Sequence, residues 1–149
     1  MNAESVTETD GTEPAEITPS YVPRSAYTSR ETIEAVREGL PSEALDWVKE
    51  QYGLSGSDLA DLVHISRRTM SRRRKAGALE PDESERVLRL IRLFALGSAV
   101  LGGAEETRAW FKETNFALGE ATPLQYADTE PGARRVERLL GEIDHGVGV

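Results

Sequence analysis

Cysteine is absent from all 149 residues. That excludes a disulfide framework and any thiolate metal site, and it fits a reducing cytosol, so a cytoplasmic location is expected. Histidine is scarce: His64 and His145 are the only two. They stand far apart in sequence, and neither has the i, i+4 partner of a metalloprotease helix. No uninterrupted apolar run approaches the roughly 20 residues that cross a bilayer. Met1 to Ser20 is acidic and polar, unlike a signal or transit peptide. Gly53-Leu54-Ser55-Gly56-Ser57 lacks the final glycine of a nucleophile elbow, and no phosphate loop ending in Lys-Ser or Lys-Thr occurs. These absences predict a chain that is not an enzyme. No catalytic residue, metal, cofactor, small-molecule substrate or membrane contact is expected.

Positive charge is also in short supply, with 18 Lys and Arg against 26 Asp and Glu, a net charge of −8. Its distribution is uneven. Residues 1–50 carry a net −7, residues 51–80 a net +3 and residues 81–149 a net −4. A basic island in an acidic chain is the electrostatic footprint of a localised anion-binding surface.

Residues 1–25 are rich in Thr, Glu, Pro and Ser and poor in large apolar groups, so a disordered acidic tail is expected there. From Glu31 the pattern turns helical, with Ile33, Val36 and Leu40 on one side, until Gly39 and Pro41 break it. Ser42 and Glu43 open a second helix through Leu45, Trp47 and Val48, with Trp47 expected in the core. In the next segment Ser55 can cap a helix with Asp58 three residues on. Leu59, Ala60, Leu62 and Val63 supply its apolar face. His64-Ile65-Ser66 then makes a tight turn with Ile65 as its plug. Ser66 caps a strongly basic helix that ends near Gly77. Two short helices around a tight turn, the second one cationic, is the plan of a helix-turn-helix at about 55–76. Met70 is expected inward, with Arg73 on its flank. Ser66, Arg67, Arg68, Thr69, Ser71, Arg72, Arg74 and Lys75 are the candidate DNA-binding residues. The residues near the helix start are placed toward base edges, and Arg74 and Lys75 toward phosphate. A single unit of this kind binds weakly, so a homodimer on two operator half-sites is expected.

Pro81 to Glu85 starts a long helix with an acidic first turn. It is apolar nearly all round from Val87 to Leu96, as in a central core helix or a homodimer seam. Arg86, Arg89 and Arg92 are expected to mark its one wet edge, and Gly97, Gly102 and Gly103 to loosen its end. Glu105 to Lys112 should carry Trp110 and Phe111 to the core. Asn115 should turn the chain through its side chain, with Leu118 as a plug. Thr122, Pro123 and Gln125 form a capping box with Pro at the first helical position. A last helix, capped by Asp128 or Thr129, runs from Pro131 to His145. Val136, Leu139, Leu140 and Ile143 form its apolar stripe, and Gly146 supplies a left-handed end.

Taken together, Gly53-Leu54-Ser55, Leu59-Ala60, Ile65-Ser66, Arg68-Thr69 and Ser71-Arg72-Arg73 resemble the antitoxins of the Xre/MbcA/ParS type. Trp110, Asn115, Leu118-Gly119, Thr122-Pro123-Leu124, Thr129, Gly132, Val136, Leu140, Ile143 and His145-Gly146-Val147 follow that family's C-terminal pattern more specifically. The resemblance spans roughly Leu40 to Val149. Phe116 stands where the family often has Pro, Glu120 where a second Gly is common, and Met70 where Leu is usual.

The resemblance implies an all-α fold, a helix-turn-helix domain followed by a small helical C-terminal toxin-binding domain. The expected divisions are 1–25 tail, 26–103 DNA-binding domain with its long core or dimer helix at 82–101, and 104–149 toxin-binding domain. It implies as partner a RES-domain toxin that consumes NAD, encoded next door, and repression of the chain's own operon through operator DNA. Arg138, Asp144, His145, Gly146, Val147, Gly148 and Val149 are the residues expected to meet the toxin and close its cleft. A short Gly/Val end can thread a narrow cationic cleft, and Asp144 can meet an arginine there. The alternative is a plain dimeric helix-turn-helix repressor.

Overall fold

A computed structural model describes residues 17–23 and 28–146 of the chain. Met1 to Glu16 and Val147 to Val149, on which the tail and part of the expected toxin contact fall, lie outside the described residues. Among the described residues there are eight α-helices and no strand: α1 Arg30–Glu38, α2 Glu43–Tyr52, α3 Gly56–Val63, α4 Arg67–Ala76, α5 Pro81–Leu101, α6 Ala104–Phe111, α7 Pro123–Tyr126 and α8 Glu130–Asp144. A 3₁₀ turn, Phe116–Leu118, lies between α6 and α7. The all-α expectation holds. No single described helix is long and apolar enough to cross a membrane.

The caps fall where local chemistry puts them. Ser55 and Ser66 each accept a hydrogen bond from the backbone three residues on, Asp58 N and Thr69 N, both at 3.0 Å. Thr122 and Gln125 make the reciprocal capping box, with Thr122 Oγ1 accepting from Gln125 N and Gln125 Oε1 from Thr122 N. Of the two candidates for the last helix, Thr129 is the cap, accepting from Gly132 N at 3.1 Å. Ser42 opens α2 without a side-chain cap bond.

Helix α5 is the spine, packed by α1, α2, α3, α6 and α8. Val87, Leu88, Leu90, Ile91, Leu93, Phe94 and Ala95 are all buried, which makes it a central core helix within one chain. An aromatic relay crosses the core in edge-to-face steps: Trp47 to Phe94 at 6.0 Å, Phe94 to Tyr52 at 4.9 Å, Tyr52 to Phe111 at 5.0 Å and Phe111 to Trp110 at 5.1 Å. The Tyr52 hydroxyl donates to Leu90 O at 2.7 Å, and burial pushes its pKa well above the usual tyrosine value.

Several expectations are corrected. Arg86, Arg89 and Arg92 are not a wet edge. Arg86 Nε donates to Val63 O at 2.6 Å, and Arg92 Nη2 to Pro23 O and Thr32 Oγ1 at 3.2 and 3.0 Å. Arg89, only 9% exposed, faces Glu130 at 3.3 Å. All three tie α5 to other segments. Ile33 is 42% exposed, while its neighbour Thr32 is buried; the Arg92 bond turns α1 so that Thr32, and not Ile33, faces inward. Gly97 does not loosen α5. It lies inside the helix, where a Cβ would come within 2.7 Å of Thr107 Cγ2, so it permits the close approach of α6. Within the segment expected as tail, Val22 is 2% exposed and belongs to the core, with Ile17 and Tyr21 packed against it.

Candidate functional site

The turn between α3 and α4 is tight because His64 adopts the left-handed conformation at φ 57. Ile65 behind it is 4% exposed and plugs the corner, as expected. Arg86 braces the turn from α5 through Val63 O and, at 3.4 Å, His64 O. Met70 is 1% exposed and holds α4 to the core.

The remaining surface of α4 is cationic and open. Ser66, Arg67, Arg68, Ser71, Arg72, Arg74 and Lys75 are exposed, with Thr69 half-buried. They lie on one helix but do different things. Ser66 Oγ donates to Thr69 Oγ1 at 3.0 Å, and Arg72 Nη2 donates to the same oxygen at 3.2 Å. This network fixes the first turn, so the hydroxyls of Ser66 and Thr69 are already engaged. Arg74 is paired to Asp46 of α2 at 2.9 Å, so its charge is partly answered within the chain. Arg67, Arg68, Arg72 and Lys75 have no carboxylate partner among the described residues.

Sequence reasoning did not foresee the brace beneath this helix. Arg73 donates through Nε and Nη2 to the two carboxylate oxygens of Glu83, at 2.7 and 2.9 Å. Glu83 Oε1 also accepts from Glu80 N at 2.9 Å, in the first turn of α5. Such a bidentate pair is strong and directional. The Arg73 hydrogen bond, aided by the Glu80 amide, holds the Glu83 carboxyl below the usual carboxylate range against the opposing effect of burial. The available signal was Glu83 standing three residues after the helix-opening Glu80.

At the other end, α8 packs Val136, Leu139 and Leu140 into the protein, with Ile143 half-buried. Arg138 and His145 are exposed and seven residues apart, hence on one face, turned away from the Val136–Leu140 side. Asp144 and Gly146 are exposed as well, and Gly146 has φ 73, the left-handed residue expected there. His145 Nδ1 donates to Gly141 O at 2.8 Å, which closes the helix end. Asp144, His145 and Gly146 are thus exposed at the tip of α8, with Arg138 exposed two turns before it; Val147, Gly148 and Val149 are beyond the described residues.

The loop before α7 is tied by hydrogen bonds of Asn115. Asn115 Oδ1 accepts from Ala117 N at 2.9 Å, and Asn115 N donates to Ala121 O at 2.9 Å. Leu118 plugs it at 2% exposure, whereas Phe116 stands out at 88%. Glu120 has φ 69, a left-handed conformation that explains why glycine suits the position. Among the described residues no cluster of His, Cys, Asp and Glu could hold a metal ion.

Comparison with known proteins agrees with both halves. Residues 31–92 match the family described as the antitoxin Xre-like helix-turn-helix domain, and residues 96–146 the antitoxin Xre/MbcA/ParS C-terminal toxin-binding domain. The two matches meet within α5, so the halves share that helix. A protein named Antitoxin Xre from Photorhabdus laumondii is 32% identical over 114 residues, 75% of this chain and 77% of the relative. Another Antitoxin Xre, from Yersinia enterocolitica, is 26% identical over 117 residues, 77% of this chain and 79% of the relative. One chain of the M. tuberculosis MbcT–MbcA toxin–antitoxin complex superposes with a TM-score of 0.55 at 20% identity, over 72% of this chain and 96% of that one, which shows a shared fold. With helix order, turn, caps and sequence in agreement, the chain belongs to the Xre antitoxin family.

Proposed function

We propose that this protein is the antitoxin of a two-gene toxin–antitoxin pair. It neutralises an NAD-consuming RES-domain toxin, encoded next door, by covering the active site with its C-terminal domain and tail. It represses its own operon through α3 and α4, as a homodimer on two half-sites. The observation that carries this reading is the match of residues 96–146 to a toxin-binding domain. The exposed tip of α8 gives that match a surface. Arg138 and His145 share one face, and Asp144 supplies a carboxylate for a cationic cleft. The unpaired arginines of α4 support the DNA half, since arginine reads guanine in the major groove and neutralises phosphate.

The test is coexpression with the product of the adjacent gene. That product should be toxic alone and should deplete NAD. It should be harmless with this protein, and the two should copurify. A plain dimeric repressor would bind the upstream promoter but capture no neighbour and leave the NAD level unprotected.

A further inference from the structure

Two large apolar side chains stand exposed among the described residues, Ile33 at 42% and Phe116 at 88%. Phe116 lies within residues 96–146, the match to the toxin-binding domain, and Ile33 lies outside it. The backbone sets where Phe116 stands. The Asn115 side chain accepts from Ala117 N at 2.9 Å, and Leu118 N and Glu120 N both donate to Asn115 O, at 2.9 and 3.0 Å. Gly119 N donates to Phe116 O at 3.1 Å. Leu118 takes the inward position of this turn at 2% exposure, so the ring of Phe116 is left in water. A phenylalanine ring carries a large apolar surface, and most of this one is uncovered.

The same turn is joined to α8. Arg135 Nη2 donates to Ala117 O at 3.2 Å, which ties the residue after Phe116 to that helix. Arg138 follows Arg135 by three residues and is its neighbour on the helix surface. From Arg135 to Asp144 the helix rises about 14 Å. Phe116 therefore flanks the start of the surface that ends at the tip of α8. Ala117 and Gly119 are exposed, and a Cβ at Gly119 would meet nothing within 4 Å, so a partner has room beside the ring.

We propose that Phe116 anchors the toxin: its ring fills an apolar pocket on the toxin surface outside the reactive cleft, with acceptors at the pocket rim for Arg138. The proposal rests on the reading of the C-terminal half as the toxin-binding half. Aromatic residues and arginine are enriched at protein interfaces, and a few such residues carry most of the binding energy. A backbone already tied in place loses little freedom on docking. Affinity and inhibition then reside in different places. Phe116 holds the toxin, and the chain end, at the far end of α8, blocks it.

The experiment compares the full chain with full-length Phe116→Ala and Phe116→Leu, each mixed with the purified product of the adjacent gene. Biolayer interferometry measures affinity and dissociation rate. An NAD-consumption assay gives the half-inhibiting concentration and the activity left at saturation. Thermal melting and sedimentation follow each protein without the toxin. We expect Phe116→Ala to bind about 30-fold more weakly, mainly through faster dissociation, and to raise the half-inhibiting concentration by the same factor. At saturation it should still stop NAD consumption, and Phe116→Leu should fall between the two. Melting and sedimentation should match the parent. Equal affinity of parent and Phe116→Ala overturns the anchor and leaves the toxin reading standing. A lower melting temperature also overturns it, since the ring would then support the fold. So does a changed oligomeric state, since the ring would then meet a second copy of this chain. Incomplete inhibition at saturation places the ring at the cleft itself and contradicts the division of roles. If the parent does not bind the adjacent product, the toxin reading fails and the anchor with it.

Discussion

His64 Nε2 lies 2.9 Å from the backbone carbonyl of Asp128. The carbonyl can only accept, so Nε2 carries the proton. This bond joins the turn of the helix-turn-helix to the corner from which α8 departs. The two surfaces proposed to act, the basic face of α4 and the tip of α8, are therefore linked through one hydrogen-bonded junction beside α5.

That junction can be probed at His64. His64→Ala removes the bond but keeps the left-handed backbone, and should lose about 1 kcal/mol. His64→Gly also loses the bond but is relieved of about 1–2 kcal/mol of left-handed strain, so it should unfold in urea close to the parent. Equal midpoints for Ala and Gly would mean that the turn is not strained.

The Glu83–Arg73 pair makes stability pH-dependent in a defined direction. The folded carboxyl is held below its unfolded value of about 4.3, so the unfolded state binds the proton more readily. The contribution is complete above the unfolded pKa and is lost as pH falls through the folded one. Glu83→Gln should melt lower than the parent at pH 7 and show a flatter acid limb below about pH 5. Parallel curves for the two proteins would show that the pair does not stabilise the fold.

Two helical glycines should respond oppositely to alanine. A Cβ at Gly97 would meet Thr107 Cγ2 at 2.7 Å, whereas one at Gly141 meets nothing within 4 Å. Gly141→Ala should gain about 0.5–1 kcal/mol from helix propensity. Gly97→Ala should lose about 1–3 kcal/mol to overpacking between α5 and α6. Thermal melting of both variants decides it; a gain at Gly97 would show that α5 and α6 have room to move apart at no cost.

Arg68→Ala and Arg72→Ala should each weaken operator binding by roughly 1–3 kcal/mol for every base that the arginine reads. Neutralisation of the toxin should be untouched, because both residues lie on α4, remote in sequence from the tip of α8. Footprinting with a parallel growth-rescue assay measures the two activities. Equal damage to both would contradict their division between α4 and α8.

Much of this architecture is legible in the sequence because it depends on local chemistry. Ser55, Ser66 and Thr122 cap through bonds that reach only three residues, so their spacing is sufficient to find them, while for the last helix it narrows the cap to Asp128 or Thr129. Met70 is readable as a plug because it is a large apolar residue in a polar neighbourhood, and Ile65 and Leu118 because each stands in a turn between helices. The misreadings are long-range. Arg86, Arg89 and Arg92 recur every third residue like a solvated stripe, and only the folded neighbours reveal the carbonyls and the carboxylate that they meet. Ile33 fits an inward helical stripe by spacing, yet the Arg92–Thr32 bond sets the rotation of α1. Periodicity also cannot separate Phe111, fully buried, from Trp110, partly so. At the candidate site, the cations of α4 are evident from charge. That Arg74 is already paired is not, because Asp46 is 28 residues away.

The central claim is that the end of the chain closes the toxin's cleft, and deletion of Asp144 to Val149 tests it most directly. Asp144, His145 and Gly146 are exposed, and none of them contributes to the core. The shortened protein should melt like the parent and bind operator DNA as well, yet leave the toxin free to consume NAD. Full protection of the NAD pool by the shortened protein would contradict the account.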